Sequence, residues 1–112
     1  MDSEKRLYII SGCNGAGKTT ASYTLLPEVF QCKEFVNADE IAKGLSPFNP
    51  EGVAIDAGKV MLQRINDLLE REETFAIETT LSSRTLKSLV KKAQSLGYNV
   101  KLIFFWLNST QL

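Results

Sequence analysis

The sequence contains no histidine, and only two of its 112 residues are cysteines. Without an imidazole, a Ser-His-Asp or Cys-His catalytic site and an imidazole-based metal site are both excluded. Cys13 and Cys32 form neither a metal-ligand pattern nor a disulfide framework, so we expect reduced thiols and a cytoplasmic location. Any chemistry therefore uses carboxylates, lysine, arginine, hydroxyl groups or a bound cation.

Excess charge and long apolar runs are also missing. Thirteen basic and thirteen acidic side chains give a formal net charge of zero, which argues against a general nucleic-acid binder. No apolar run reaches the roughly 18 residues that span a bilayer, and the N-terminal MDSEKR lacks the apolar segment of a signal peptide. We therefore expect neither a nucleic-acid partner nor a membrane. The length predicts a single domain over residues 1–112.

Strand and helix signals alternate along the chain. Short apolar, β-type runs predict strands at residues 7–10, 34–37, 74–78 and 99–107, and the strongly apolar fourth strand is expected at the centre of the sheet. Helical signals cover residues 18–26, 39–43, 53–71 and 82–96. Their expected ends are Pro27 for the first helix, Gly44 for the second and Gly97 for the last, which Ser82 or Ser83 caps at its start. Such alternation predicts an α/β fold, a parallel sheet with helices on both faces.

The segment GCNGAGKT, residues 12–19, matches the pattern G-x-x-x-x-G-K-[ST] at every position. In that pattern backbone N–H groups surround phosphate oxygens, Lys18 reaches the β- and γ-phosphates, and the Thr19 hydroxyl binds Mg²⁺. A glycine-rich turn that binds nothing is the alternative, but a strand before the loop and a helix after it favour a P-loop NTPase-type fold. We predict that ATP or GTP is bound by Gly12, Asn14, Gly15, Ala16, Gly17, Lys18, Thr19 and Thr20.

Polar residues follow the first three predicted strands. They are the glycine loop, residues 37–40 and residues 78–80. Because ligands bind at the carboxyl ends of parallel strands, the three clusters are expected to meet at one edge of the sheet.

Asp39 follows the second strand in the stretch FVNADEIA. Its carboxylate could accept the proton of an acceptor hydroxyl that attacks the γ-phosphate, or it could help to hold Mg²⁺. It could equally cap the short helical turn that follows, a role that needs no ligand.

Glu78 ends the third strand in FAIETT. It could bind the acceptor or position a metal as a Walker B carboxylate does, or it could cap the next helix or pair with Arg84. Thr80 could donate a hydrogen bond to the acceptor or shape the turn. Arg84 could hold a phosphate in a bidentate contact, or it could be a surface arginine on the first helical turn.

The segments GCNGAGKTT, FVNADEIAKGLSPFNPE and FAIETTLSSRT together resemble the zeta-toxin family of P-loop kinases, and more closely the small bacterial zeta-toxin-like proteins. The resemblance covers residues 7–107. It implies a kinase that phosphorylates a hydroxyl, with UDP-N-acetylglucosamine as the acceptor in the toxins and an antitoxin-like protein as a partner. By position, Lys18 and Thr19 match the phosphate and magnesium residues, and Asp39 matches the catalytic base. The residues that match the acceptor-binding segment are Glu78, Thr80 and Arg84.

The chain stops at WLNSTQL, where the family continues into a helical lid and a last strand. Because that portion carries the arginines that stabilise the transferring phosphoryl group, the resemblance implies a domain that is incomplete at its C-terminal end. A nucleotide-binding module without catalysis is therefore one alternative. A divergent ATPase is another alternative. An ABC-type domain is disfavoured, because it needs an LSGGQ-like signature, which LSSRT matches poorly, and an apolar strand that ends in Asp-Glu, whereas FFWLN ends in Asn108.

Overall fold

The computed structural model describes residues 4–12, 22–78 and 81–105. Its strands are β1 (Arg6–Gly12), β2 (Phe35–Val36), β3 (Phe75–Glu78) and β4 (Asn99–Phe105). Its α-helices of eight residues or more are α1 (Ala38–Leu45), α2 (Ala54–Glu70) and α3 (Ser83–Ser95). A π-helical turn (Leu25–Val29) precedes β2, and a 3₁₀ turn (Pro50–Val53) leads into α2.

The described strands form one parallel sheet in the order β2-β3-β1-β4, so the predicted α/β fold is confirmed. The expected central position of the fourth strand is wrong, because β4 pairs with β1 and lies at an edge of the described sheet. Leu102 is 70% exposed and Phe104 is 51% exposed. An apolar run reflects the two faces of a strand and carries no information about its hydrogen-bonded neighbours, which explains the error.

Alternate residues of the strands point into two separate hydrophobic cores. The first core contains Leu7, Ile9, Phe75 and Ile77 together with apolar residues of α2 and α3. The second contains Tyr8, Ile10 and Ala76 together with Leu26 and Cys32. The two-residue period of a strand thus buries both faces of the central strands, and helical segments cover both faces as predicted.

The ends of α3 are those predicted from the sequence. The Ser82 hydroxyl accepts a hydrogen bond from the Thr85 amide at 3.2 Å, which makes Ser82 the N-cap. Gly97 has a φ of 91°, and its amide donates to the Gln94 carbonyl while the Tyr98 amide donates to the Ala93 carbonyl. These two bonds constitute a Schellman motif, which requires a residue such as glycine in the left-handed region.

Two predicted helix ends are wrong. The first helical segment does not stop at Pro27 but continues through it as a π-helical turn, in which the Phe30 amide donates to the Leu25 carbonyl at 3.0 Å. The wider turn accommodates a proline ring that would clash in an α-helix. Helix α1 also continues through Gly44, which is not among the described residues with positive φ. It therefore lacks the left-handed conformation of a glycine helix stop.

Candidate active site

The carboxyl ends of β1, β2 and β3 lie at one edge of the sheet. Ile10 is the register partner of Glu78, and Val36 is the register partner of Ile77. Asn37, the residue after β2, is therefore level with Glu78, and β1 continues from Ile10 to Gly12, where the glycine motif begins. The described parts of the three polar clusters thus meet at one edge, as the sequence predicted.

A buried hydrogen bond joins two of these strand ends. The Asn37 side-chain amide donates to Glu78 Oε1 at 2.9 Å, and the two residues are only 4% and 6% exposed. The Asn37 side-chain oxygen accepts from the Asp39 amide at 2.8 Å and from the Glu40 amide at 3.3 Å. One side chain therefore caps α1 and holds a carboxylate of the neighbouring strand.

Asp39 is not the cap of α1, so that alternative is wrong. Asn37 is the N-cap, and Asp39 is the second residue of the helix, with an exposed side chain. Asp39 lines a cavity of about 260 Å³ together with Lys43, Pro50 and Glu51. Lys43 also forms an ion pair with Glu40 at 3.6 Å, one turn along α1. Asp39 is thus a carboxylate that a small molecule in this cavity can reach.

Glu78 does not have the two structural roles that the sequence left open. Ser82 caps the following helix, and no ion pair joins Glu78 to Arg84 among the described residues. Arg84 is exposed on the first turn of α3. The carboxylate of Glu78 is instead buried at the end of β3, against Asn37.

Most of the predicted phosphate-binding residues lie outside the described residues. Gly12 ends β1, and the structure describes no other member of the motif. The binding roles predicted for the residues that are not described therefore remain predictions. These residues are Asn14, Gly15, Ala16, Gly17, Lys18, Thr19, Thr20 and, after β3, Thr80. Within residues 4–12, 22–78 and 81–105, no three His, Cys, Asp or Glu side chains cluster as metal ligands.

A larger cavity of about 580 Å³ lies beside the edge strand β2. Tyr23 and Phe35, whose ring centroids are 5.9 Å apart, are part of its lining. An ion pair of 2.7 Å between Arg64 and Glu34 is also part of the lining, and so is the Cys32 thiol, whose pKa is raised by burial. This cavity contacts Asn37 and Glu40 but not Asp39, so it lies on the other side of the α1 N-terminus from the cavity at Asp39.

Asn37 belongs to a polar cluster that the sequence predicted at this edge, but its roles as the cap of α1 and as the partner of Glu78 were not predicted. Its signal was present, because an asparagine followed three residues later by Glu40 resembles a capping box at the start of a helix. That pattern could have identified the cap, and it would also have removed Asp39 from that role. The bond to Glu78 could not be foreseen, because it depends on β2 and β3 being neighbours.

The described strands and helices form a parallel α/β fold, and the chain is similar in fold to solved structures that include a kinase-like protein. In the solved structures, the chain is similar to one from the PezAT toxin–antitoxin system of Streptococcus pneumoniae (TM-score 0.76, 20% identity). A candidate kinase from Chloroflexus aurantiacus gives a TM-score of 0.68 at 14% identity, and the Pnkp1/Rnl/Hen1 complex gives 0.65 at 22%. The match covers 92%, 90% and 100% of this chain, respectively.

These likenesses establish the fold alone, because every identity is below 25%. The chain spans 47%, 59% and 39% of the length of the three solved chains, in the order given above. An uncharacterized protein from Haemophilus influenzae is 28% identical over 101 residues, which are 90% of this chain and 70% of that protein. No protein-family model matches the chain, so membership of the zeta-toxin family remains a prediction.

In the described parts of the chain, no helix combines the length and the apolar composition that crossing a bilayer demands.

Proposed function

We propose that this protein is an ATP-dependent kinase that transfers the γ-phosphate to a hydroxyl group of a small molecule. The kinase-like fold and the intact G-x-x-x-x-G-K-[ST] motif after β1 support the nucleotide half of this proposal. GTP is the alternative donor. The acceptor half is supported by the two carboxylates at the carboxyl ends of β2 and β3.

The observation that carries the proposal is the location of Asp39. Its side chain is exposed to a cavity at the same edge of the sheet at which the glycine motif begins. We assign Asp39 as the general base. It accepts the proton of the acceptor hydroxyl while the hydroxyl oxygen forms a bond to the γ-phosphorus, and the bond from that phosphorus to the β-phosphate oxygen breaks, releasing ADP.

The remaining roles follow the chemistry of the residue types. Lys18 would hold the β- and γ-phosphates, and Thr19 would hold Mg²⁺, which neutralises charge on the transferring group. Glu78, Thr80 and Arg84 would bind the acceptor. For the acceptor we propose a sugar nucleotide such as UDP-N-acetylglucosamine, because the segments around Asp39 and Glu78 resemble those of the zeta-toxin family. An antitoxin-like protein that restrains the kinase belongs to the same proposal.

The test incubates the protein with γ-labelled ATP, Mg²⁺ and a panel of sugar nucleotides, in parallel with Asp39→Ala. The proposal predicts label transfer that requires an acceptor and is lost in the variant, while nucleotide binding remains. Transfer of label to water only, or binding without any transfer, would favour an ATPase or a nucleotide-binding module instead.

A further inference from the structure

We propose that Asn37 is a positioning residue, which holds the two acceptor-side carboxylates, Asp39 and Glu78, in one fixed arrangement. The inference rests on the proposed kinase function. Asn37 is the residue between the end of β2 and the first residue of α1.

The polar atoms of the Asn37 side chain are divided between two elements. Its nitrogen donates to Glu78 at the end of β3, and its oxygen accepts from the amides of Asp39 and Glu40 in the first turn of α1. Because the amide group is planar, these contacts fix the first turn of α1 relative to the carboxylate of Glu78. Residue 39 is thereby held at a defined position relative to Glu78.

Burial makes this link difficult to replace. Asn37 and Glu78 are almost completely removed from solvent, so water cannot readily substitute for the bond between them. The edge strand β2 contains only two residues, and its pairing with β3 is correspondingly short. The side-chain bond therefore supplements a small backbone ladder at the point where α1 begins.

Other residues do not offer the same pair of functions. Serine at position 37 would retain an oxygen that can cap α1, but it would lack the amide that reaches Glu78. Alanine would remove both functions. Comparing these two variants separates the cap from the link between strands.

A matched control is available at the opposite end of the sheet. The Tyr98 hydroxyl donates to the Glu73 carbonyl at 2.7 Å and lies 3.3 Å from the Leu68 carbonyl. Tyr98 precedes Asn99, which is the register partner of Arg6 at the amino end of β1. Tyr98→Phe therefore removes buried hydrogen bonding at a distance from the carboxyl ends of the strands.

The experiment measures kcat and the acceptor KM for wild type, Asn37→Ser, Asn37→Ala and Tyr98→Phe, with unfolding curves and ATP affinities for each. We expect Asn37→Ser and Asn37→Ala to remain folded and to bind ATP as the wild type does. Their kcat should fall by roughly 10- to 100-fold, because a small displacement of the reacting groups slows the transfer step. Tyr98→Phe should lose stability and keep its kcat. A folded Asn37→Ser with wild-type kcat would overturn the positioning role alone, whereas wild type without any transfer would overturn the proposed function.

A second readout does not depend on activity. Proton exchange of the Asn37 side-chain amide, followed by NMR, should be slow in the wild type and faster in Glu78→Ala. Rapid exchange in the wild type would contradict the link between the two residues.

Discussion

Ile10 and Glu78 are register partners in the parallel pair of β1 and β3. The buried carboxylate of Glu78 therefore lies level with Ile10, two residues before β1 ends at Gly12, where the glycine motif begins. Asn37, which directly follows β2, donates a hydrogen bond to Glu78, so the end of β2 lies at the same level. Three strand ends thus form one polar edge, at which the glycine motif begins.

Replacing Asp39 by asparagine should abolish most phosphate transfer without unfolding the protein. Loss of a general base lowers kcat by roughly 100- to 10,000-fold. Asp39 is exposed in the first turn of α1, so its removal should cost at most about 1 kcal/mol through the helix dipole. Asp56→Asn in the first turn of α2 is the matched control, and it should leave kcat unchanged. Equal kcat values for the two variants would exclude Asp39 as the base.

Replacing Glu78 by glutamine should weaken acceptor binding while the fold is retained. The glutamine carbonyl can still accept from Asn37, but as a neutral acceptor it is weaker, at a cost of about 1 kcal/mol in unfolding free energy. We expect the apparent acceptor KM to rise. Glu78→Ala should be less stable than Glu78→Gln, because it leaves the buried Asn37 amide without that acceptor. Steady-state kinetics and urea unfolding measure the two effects, and an unchanged KM in a folded Glu78→Gln would argue against acceptor binding.

The stability contribution of Tyr98 should disappear at high pH. Burial, with additional effects of Glu72 and then Glu73, raises the pKa of Tyr98 to about 12, from an ordinary value of 10.0. The unfolded chain therefore loses this proton at a lower pH than the folded protein does. The contribution is complete below the ordinary pKa and is lost as pH rises through the pKa of the folded state.

The measurement is the difference in unfolding free energy between wild type and Tyr98→Phe, which should be larger at about pH 8 than at about pH 11. Burial also raises the pKa of Cys32, but that effect is common to both proteins and cancels in the comparison. A difference that stays constant over this range would contradict the raised pKa of Tyr98.

Two glycine-to-alanine substitutions should change stability in opposite directions. Gly97 has a φ of 91°, and a Cβ there would lie 3.4 Å from Lys5 Nζ, so Gly97→Ala should destabilise the protein by about 1–2 kcal/mol. Gly58 is inside α2, and a Cβ there would meet no atom within 4 Å. Gly58→Ala should therefore stabilise the protein by about 0.5–1 kcal/mol. Thermal and urea unfolding compare the pair, and the same sign for both would contradict this account.

Features that depend on neighbouring residues were predictable from the sequence. The Ser82 cap and the Gly97 turn follow from residue types within one helix and its flanks, and both predictions are confirmed. The strand ending at Glu78 was also predicted, because a short β-type apolar run identifies a buried strand. The parallel sheet followed from the alternation of these local elements.

Features that depend on the arrangement of elements could not be predicted in the same way. The edge position of β4 is decided by pairing with β1, and the apolar composition of β4 gave the wrong answer. The sequence offers both Asn37 and Asp39 as residues that can cap α1, and the cap is Asn37. Its bond to Glu78 spans 41 residues of sequence and becomes visible only when β2 and β3 are adjacent.

The most direct test of the account is the product balance of the reaction, followed by ³¹P NMR with ATP, Mg²⁺ and a sugar-nucleotide acceptor. The account predicts one new phosphomonoester on the acceptor for each ADP formed, with no such product in Asp39→Asn. Formation of ADP with inorganic phosphate alone, or an unchanged ATP signal at every acceptor tried, would contradict a phosphoryl-transfer site at this edge of the sheet.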